Sequence, residues 1–243
     1  MATALLIASA ALVGFMIGAV GIGGVLLIPA LVALAGLTPH QASATALFTF
    51  IFTGILGTWL FQRKGSIDWR QSAAVCSGAV LFSYLGAMAN AAVGDRVLLL
   101  LIALLIIFAG AYVFFPRAAR ERETRESLPL LIAIGALAGF GSGFSGAGGP
   151  LFSVPLMLVA GFSPLLAIGT SQVLQIFSAA SGTLANLRYG DIQWALVLWI
   201  TLAELIGVVA GVKLAHTVGQ GTLKRGAGVM CLVVGVAMLI RSF

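Results

Sequence analysis

Acidic residues are scarce: Asp and Glu together number 7 in 243 residues, against 13 Lys and Arg, and charged residues make up only 8% of the chain. A soluble domain carries roughly 25% charged residues, so this composition cannot cover a water-facing surface. Histidine and cysteine number 2 each, and no His/Cys cluster exists, which removes a metal site. Cys76 and Cys231 lie inside apolar stretches and read as small packing residues. There is no HExxH, no GxSxG, no P-loop and no pair of acids within an apolar run. These absences argue against an enzyme, and no cofactor is expected.

What the chain does have is apolar residues, at 60% of the sequence, with a mean hydropathy of +1.13. A bilayer is the solvent that makes such a composition workable. The net charge is +6 and the sequence pI about 10.0. The basic residues sit in short loops between apolar runs, which reads as an orientation signal rather than a nucleic-acid footprint. Residues 1–10 lack a basic n-region, and the apolar run continues beyond them, so the first segment reads as a retained membrane span.

The sequence also matches itself at an offset of 125 residues. Ala11, Leu12, Gly14, Phe15, Gly18, Gly21, Gly23 and Gly24 lie over Ala136, Leu137, Gly139, Phe140, Gly143, Gly146, Gly148 and Gly149, so 8 of 14 consecutive positions are identical. The register holds through Gly36/Gly161, Pro39/Pro164, Thr45/Thr170, Gly57/Gly182, Arg63/Arg188, Trp69/Trp194, Gly86/Gly211 and Gly110/Gly235. Only Pro29 against Pro155 slips. A whole structural unit has been duplicated.

The expected fold is an all-α integral membrane protein of two homologous, inverted five-segment repeats, with about 10 membrane helices. The repeats occupy 1–115 and 128–243, and a basic cytoplasmic linker occupies 116–127. Apolar segments run over 3–20, 25–37, 41–62, 70–92 and 96–115, and over 128–145, 150–162, 166–187, 192–214 and 224–241. The first two of each half share too little chain for two full crossings, so they are short tilted spans or a re-entrant hairpin. With Arg63, Lys64 and Arg70 placed inside, ten basic residues fall inside and three (Arg96, Arg188, Arg241) outside. A parallel-repeat arrangement gives nine against four, so the inverted one is preferred. Both termini are then outside a cytoplasmic (inner) membrane crossed many times.

The glycine breaks, Gly21-Ile22-Gly23-Gly24 and Ser145-Gly146-Ala147-Gly148-Gly149-Pro150, each end one helix and open another. They can bare backbone N–H groups at a helix start and cradle an anion. The competing reading is close helix packing through small residues, which Gly14/Gly18, Gly135/Gly139/Gly143 and Gly207/Gly211 could serve equally. Thr45, Thr49 and Thr53 share one helix face, and Ser171, Gln175, Ser178 and Asn186 form a similar stripe joined by Thr170 and Gln172. These line a pathway or bond helix to helix. Glu204 is the one carboxylate deep in a predicted span: a proton-coupling candidate, or a structural acid. His40 and His216 read as interfacial, and Trp59, Trp69, Trp194 and Trp199 as interface anchors.

At these residues the chain resembles the TauE/SafE family, the sulfite exporter or TSUP permeases. The features that carry the resemblance are the duplicated Gly-x-Gly-Gly break, Pro29 and Pro155, the turn Gly-(Leu/Phe)-(Thr/Ser)-Pro at 36–39 and 161–164, and Ala167-Ile168-Gly169-Thr170-Ser171. Ala44, Ala46 and Val25 depart from the pattern in the first half. The resemblance implies a permease for sulfite, sulfonates or related organosulfur anions. The residues alone favour a small anion, moved by gradients, with a channel or a non-transporting scaffold as alternatives. The partners expected are that solute and the bilayer, not nucleic acid, and a homodimer stays open.

Overall fold

A computed structural model describes residues 2–112, 127–217 and 220–242. The described chain is helical: α1 (Ala2–Val20), α2 (Leu27–Ala35), α3 (Pro39–Arg63), α4 (Trp69–Ala92), α5 (Asp95–Tyr112), α6 (Leu128–Ser145), α7 (Pro150–Val159), α8 (Pro164–Tyr189), α9 (Trp194–Ala215) and α10 (Gln220–Ser242). Six of these, α1, α3, α4, α6, α8 and α9, are long and apolar enough to cross a membrane. Residues 116–126 of the expected linker lie outside the described residues.

The repeated turn has a local cause. Gly36 ends α2 with φ +68, a left-handed cap that glycine adopts freely. Thr38 then opens α3: its side chain accepts from the Gln41 N–H, the Gln41 side chain accepts from the Thr38 N–H, and Pro39 occupies the first turn. Gly161 (φ +96), Ser163 and Pro164 stand at the matching positions before α8, without the side-chain capping bonds. One helix stops and the next starts within four residues. Because Gly24–Leu26 is a 3-10 turn and Gly36 is the cap, α2 is shorter than the 25–37 segment expected. At nine residues it spans only about 14 Å, whereas α1 is long enough to cross alone.

Each half's first helix packs on the other half's fourth, α1 on α9 and α6 on α4, while α3 crosses α8 and α5 pairs with α10. The contacts keep the 125-residue offset with the halves exchanged. A Cβ on Gly14 would strike the backbone of Glu204, and one on Gly139 the backbone of Ala79; Gly18 meets Val208 as Gly143 meets Ser83; Gly211 meets Phe15 as Gly86 meets Phe140. In these interfaces the small-residue spacing serves backbone-to-backbone packing. The two repeats therefore interlock, and their shared centre is the crossing of α3 and α8.

Candidate functional site

Both glycine breaks turn inward to that crossing and are buried throughout. Gly21 (φ +77) ends α1, and Gly146 (φ +69) and Gly148 (φ +84) lead from α6 into α7. The tips touch: a Cβ on Gly24 would collide with the Ala147 carbonyl oxygen and lie 2.9 Å from the Phe50 ring. A Cβ on Gly148 would lie 3.3 Å from the same ring and 3.8 Å from Gln175 Oε1. Phe50 and Gln175 stand about halfway along α3 and α8, and they are counterparts at the 125-residue offset.

Backbone groups of both kinds are left open at the tips: the carbonyls of Gly21, Ile22, Gly146, Ala147 and Gly148 have no partner among the described residues, and neither do several N–H groups. The Gly21 N–H is taken by the Met16 and Ile17 carbonyls, the Gly146 N–H by the Ser142 carbonyl, and the Ala147 N–H by Ser145 Oγ. The N–H groups of Ile22, Gly23, Gly24 and Val25, and of Gly148, Gly149 and Leu151, have no partner among the described residues. Pro150 opens α7 without an N–H of its own. Bare amides in a water-poor interior are costly, and an anion would satisfy them.

Around the tips α8 supplies amides and hydroxyls. Gln175 Nε2 donates to the Phe50 carbonyl (3.1 Å) and to Thr53 Oγ1 (2.7 Å). Gln172 Nε2 donates to the Ile17 carbonyl at the end of α1 (3.1 Å), and its Oε1 stays unpartnered. Ser142 Oγ donates to Ser178 Oγ (3.3 Å), which would lie 3.1 Å from a Cβ on Gly149. At the offset positions the first half has Leu47 for Gln172 and Phe50 for Gln175. The polar wall is thus mainly the second half's.

Not every residue of the sequence-derived set meets the tips. Thr45 Oγ1 accepts from the Gln193 N–H at the start of α9 (3.0 Å). Ser171 Oγ donates to the Ala167 carbonyl (2.6 Å) and accepts from Ser153 Oγ (2.7 Å). Thr170 is fully buried with an unpartnered hydroxyl, next to Gly169, whose Cβ would strike the Ser66 carbonyl. Ser145 Oγ donates to the Gly141 carbonyl (2.6 Å) and caps the tip through Ala147. Thr49 donates to the Ala46 carbonyl (2.9 Å). It is also the polar neighbour of Glu204, but with its hydroxyl turned to its own helix, neither carboxyl oxygen of Glu204 has a hydrogen bond. Glu204 is the one acid among the described buried residues.

Three contributors were missed in the sequence: Phe50, Ser43 and Asn90. Phe50 looked like any apolar helix residue. Ser43 and Asn90 were readable as polar groups in apolar runs. Ser43 Oγ donates to the Ser145 carbonyl (3.2 Å), and Asn90 Nδ2 donates to the Phe144 carbonyl. Asn90 also lines a cavity of about 330 Å³, with Thr38, His40, Gln41, Asn186, Tyr189 and Asp191. Its rim residues Tyr189 and Asp191 are exposed, and its floor residues Asn90 and Asn186 are buried. It is a vestibule above the second tip.

The matching end carries apolar residues in these places. At the offset positions Asn186 is replaced by Phe61, Asn90 by Ala215, Ser43 by Ile168 and His40 by Leu165. Phe61, Ile168 and Ala215 are buried. Phe61 packs against the His216 ring at 5.2 Å between centroids, and Ile168 covers Gly21 as Ser43 covers Gly146.

Comparison with known proteins gives the same architecture a family. The profile described as "Sulfite exporter TauE/SafE" matches residues 6–239. The chain is 27% identical to "Probable membrane transporter protein YfcA" of Escherichia coli (strain K12), over 96% of this chain and 88% of that protein. It is 24% identical to "Probable membrane transporter protein YdhB" of Bacillus subtilis (strain 168), over 94% and 96% respectively. A protein of Sinorhizobium sp, "Probable membrane transporter protein ORF9", is 26% identical over 98% of this chain and 91% of its own length. No solved structure matches the chain. A multi-pass helical bundle built from a duplicated glycine-hinged unit, matched by the profile along nearly its whole length, belongs to the sulfite exporter TauE/SafE family of membrane transporters.

Proposed function

We propose that this chain is a secondary transporter that moves a small anion (sulfite, a sulfonate or a related organosulfur compound) across the cytoplasmic membrane. The anion is held where the two glycine tips meet. The observation that carries the reading is the set of unpaired, buried N–H groups at Ile22–Val25 and at Gly148, Gly149 and Leu151. Backbone dipoles at a helix start attract negative charge, and no buried Lys or Arg occurs among the described residues to hold an anion too tightly for release. The organosulfur class rests on the family's printed description.

The pairing of an open vestibule with an apolar counterpart favours a carrier over a channel. Inverted halves that exchange roles would open one end while closing the other. With the Arg63, Lys64 face inside, as the distribution of basic residues favours, the vestibule opens outward. Purified protein in liposomes, offered sulfite, sulfate, sulfoacetate, taurine and acetate with and without a pH gradient, tests this. Uptake of one organosulfur anion accelerated by the same anion on the far side is expected. Flux without trans-acceleration would establish a channel, and no flux of any of the five would remove the transport reading.

Glu204 is the proton-coupling residue in this scheme: a buried carboxyl with both oxygens unpartnered, beside α3 at the level of Thr49. Glu204→Gln keeps the size and removes the titrating group. Net transport driven by a pH gradient should fall about tenfold, the equivalent of about 1.4 kcal/mol, while exchange of anion for anion continues. An unchanged response to the gradient would take Glu204 out of the mechanism.

A further inference from the structure

The vestibule contains a hydrogen-bonded chain whose proton count is fixed by its ends. Asn90 Nδ2 donates to the Phe144 carbonyl, the penultimate residue of α6 before the second tip. That bond sets the amide's orientation and leaves Oδ1 facing His40 Nδ1 at 2.9 Å. On the other side of the ring, His40 Nε2 lies 3.1 Å from Asp95 Oδ1. Both ring nitrogens therefore face acceptors. A neutral imidazole carries one N–H and an imidazolium carries two, so only the charged form can donate to both neighbours. Flipping the Asn90 amide would suit a neutral ring, but it would set Oδ1 against the Phe144 carbonyl oxygen.

We propose that His40 is a proton-dependent positioning residue for the second glycine tip: as an imidazolium it clasps Asn90 and Asp95 together, and on losing its proton it releases the amide that holds the Phe144 carbonyl. The clasp joins α3, α4, α5 and the end of α6. Asp95 on α5 is its partner, with a side chain 54% exposed, and the His40 side chain, 26% exposed, stays reachable by protons. Asp191, between α8 and α9, lines the same cavity, but its Oδ2 accepts from Gln41 Nε2 (2.7 Å) and Gln193 Nε2 (3.0 Å). The Arg188 guanidinium lies over the Tyr189 ring at 5.5 Å. α4 and α6 bring only the Asn90 amide and the Phe144 carbonyl. When the proton leaves, the single remaining N–H can satisfy Asp95 or Asn90 but not both. The Asp95 carboxylate is the stronger acceptor, so the N–H stays on Nε2, a lone pair faces Asn90 Oδ1, and the amide must turn or withdraw.

His216 is the internal contrast. Its Nδ1 donates to the Val212 carbonyl (2.8 Å), and its Nε2 faces Ser66 Oγ (3.5 Å), a hydroxyl able to donate. That arrangement suits a neutral ring.

The release matters for transport only through the reading of the tips as the anion seat, but it can be measured without flux. The full chain, labelled with ¹⁵N-histidine in nanodiscs, gives two imidazole spectra, assigned with whichever of His40→Gln and His216→Gln is recovered. Spectra and exchange are followed across pH 5 to 8.5. Where the His40 signals change from imidazolium to neutral, hydrogen exchange at 144–149, corrected for its intrinsic pH dependence, should quicken about tenfold. In His40→Gln that exchange should be fast and independent of pH. If only the first variant fails to fold, the wild-type spectrum and exchange profile decide alone. A His40 ring neutral throughout the range, or one that loses its proton while 144–149 exchanges at an unchanged rate, overturns the clasp. Either result leaves the anion-seat reading standing.

Discussion

Replacing Gly148 with alanine is expected to cut anion flux at least tenfold in protein that still folds, whereas Gly36→Ala should hold flux within about twofold of wild type, a change below about 0.5 kcal/mol. The two positions impose the same backbone penalty: φ is +84 at Gly148 and +68 at Gly36. A non-glycine residue in that region costs about 1–2 kcal/mol. What differs is where the methyl group goes. At Gly36 nothing lies within 4 Å of it. At Gly148 it enters the space between the tips, 3.3 Å from Phe50 and 3.8 Å from Gln175 Oε1. That separation admits a methyl with slight adjustment, so the fold is kept. In the proposed anion seat the same methyl would take room beside the Gly148 and Gly149 amides. Thermal midpoints of the two variants should fall together, because the backbone strain is shared. Flux should separate them. Flux in Gly148→Ala above half the wild-type rate would mean that the anion does not pass between the tips.

Much of this was readable in the sequence, and the reasons are physical. Helix ends in a membrane must be capped by the chain itself, so Gly36, Thr38 and Pro39 announce a boundary, as do Gly161, Ser163 and Pro164. The duplication announced two equivalent five-segment halves, but which helix of one packs on which helix of the other came from the structure. Glycine was harder to read. Gly139 and Gly149 look alike in sequence. Only the structure shows that the first abuts the Ala79 backbone while the second lies at the tip against Leu174 and Ser178. The hydroxyl stripe shows a related limit. Thr45, Thr49 and Ser171 fall on the expected helices, yet their oxygens are engaged by the Gln193 N–H, the Ala46 carbonyl, and the Ala167 carbonyl with Ser153. In an interior short of water a hydroxyl bonds the nearest backbone group, and helix periodicity does not reveal which one. Phe50 was invisible because its role depends on what it faces.

Phe61 carries the second large expectation, since it separates the open end from the apolar one. Phe61→Asn gives this position the residue that its counterpart Asn186 has in the vestibule. Truncating a buried Phe costs about 3–5 kcal/mol when the space stays empty. Turning a 1:10 preference between two states into 10:1 takes about 2.7 kcal/mol. Loss of the ring is therefore large enough to reverse the preference between ends, provided the other end can admit water. Cysteines placed at Ser66, beside His216 on the apolar side, and at Gln41, on the vestibule side, report the change with an impermeant thiol reagent, against a background in which native Cys76 and Cys231 are buried. With Phe61→Asn, labelling at Ser66→Cys should rise about tenfold, and labelling at Gln41→Cys should fall. A folded Phe61→Asn protein in which neither rate moves would show the apolar end to be plain core. A rise at Ser66→Cys with Gln41→Cys unchanged would mean that the ends open independently, which is how a channel with two gates behaves and a carrier built from exchanging halves does not.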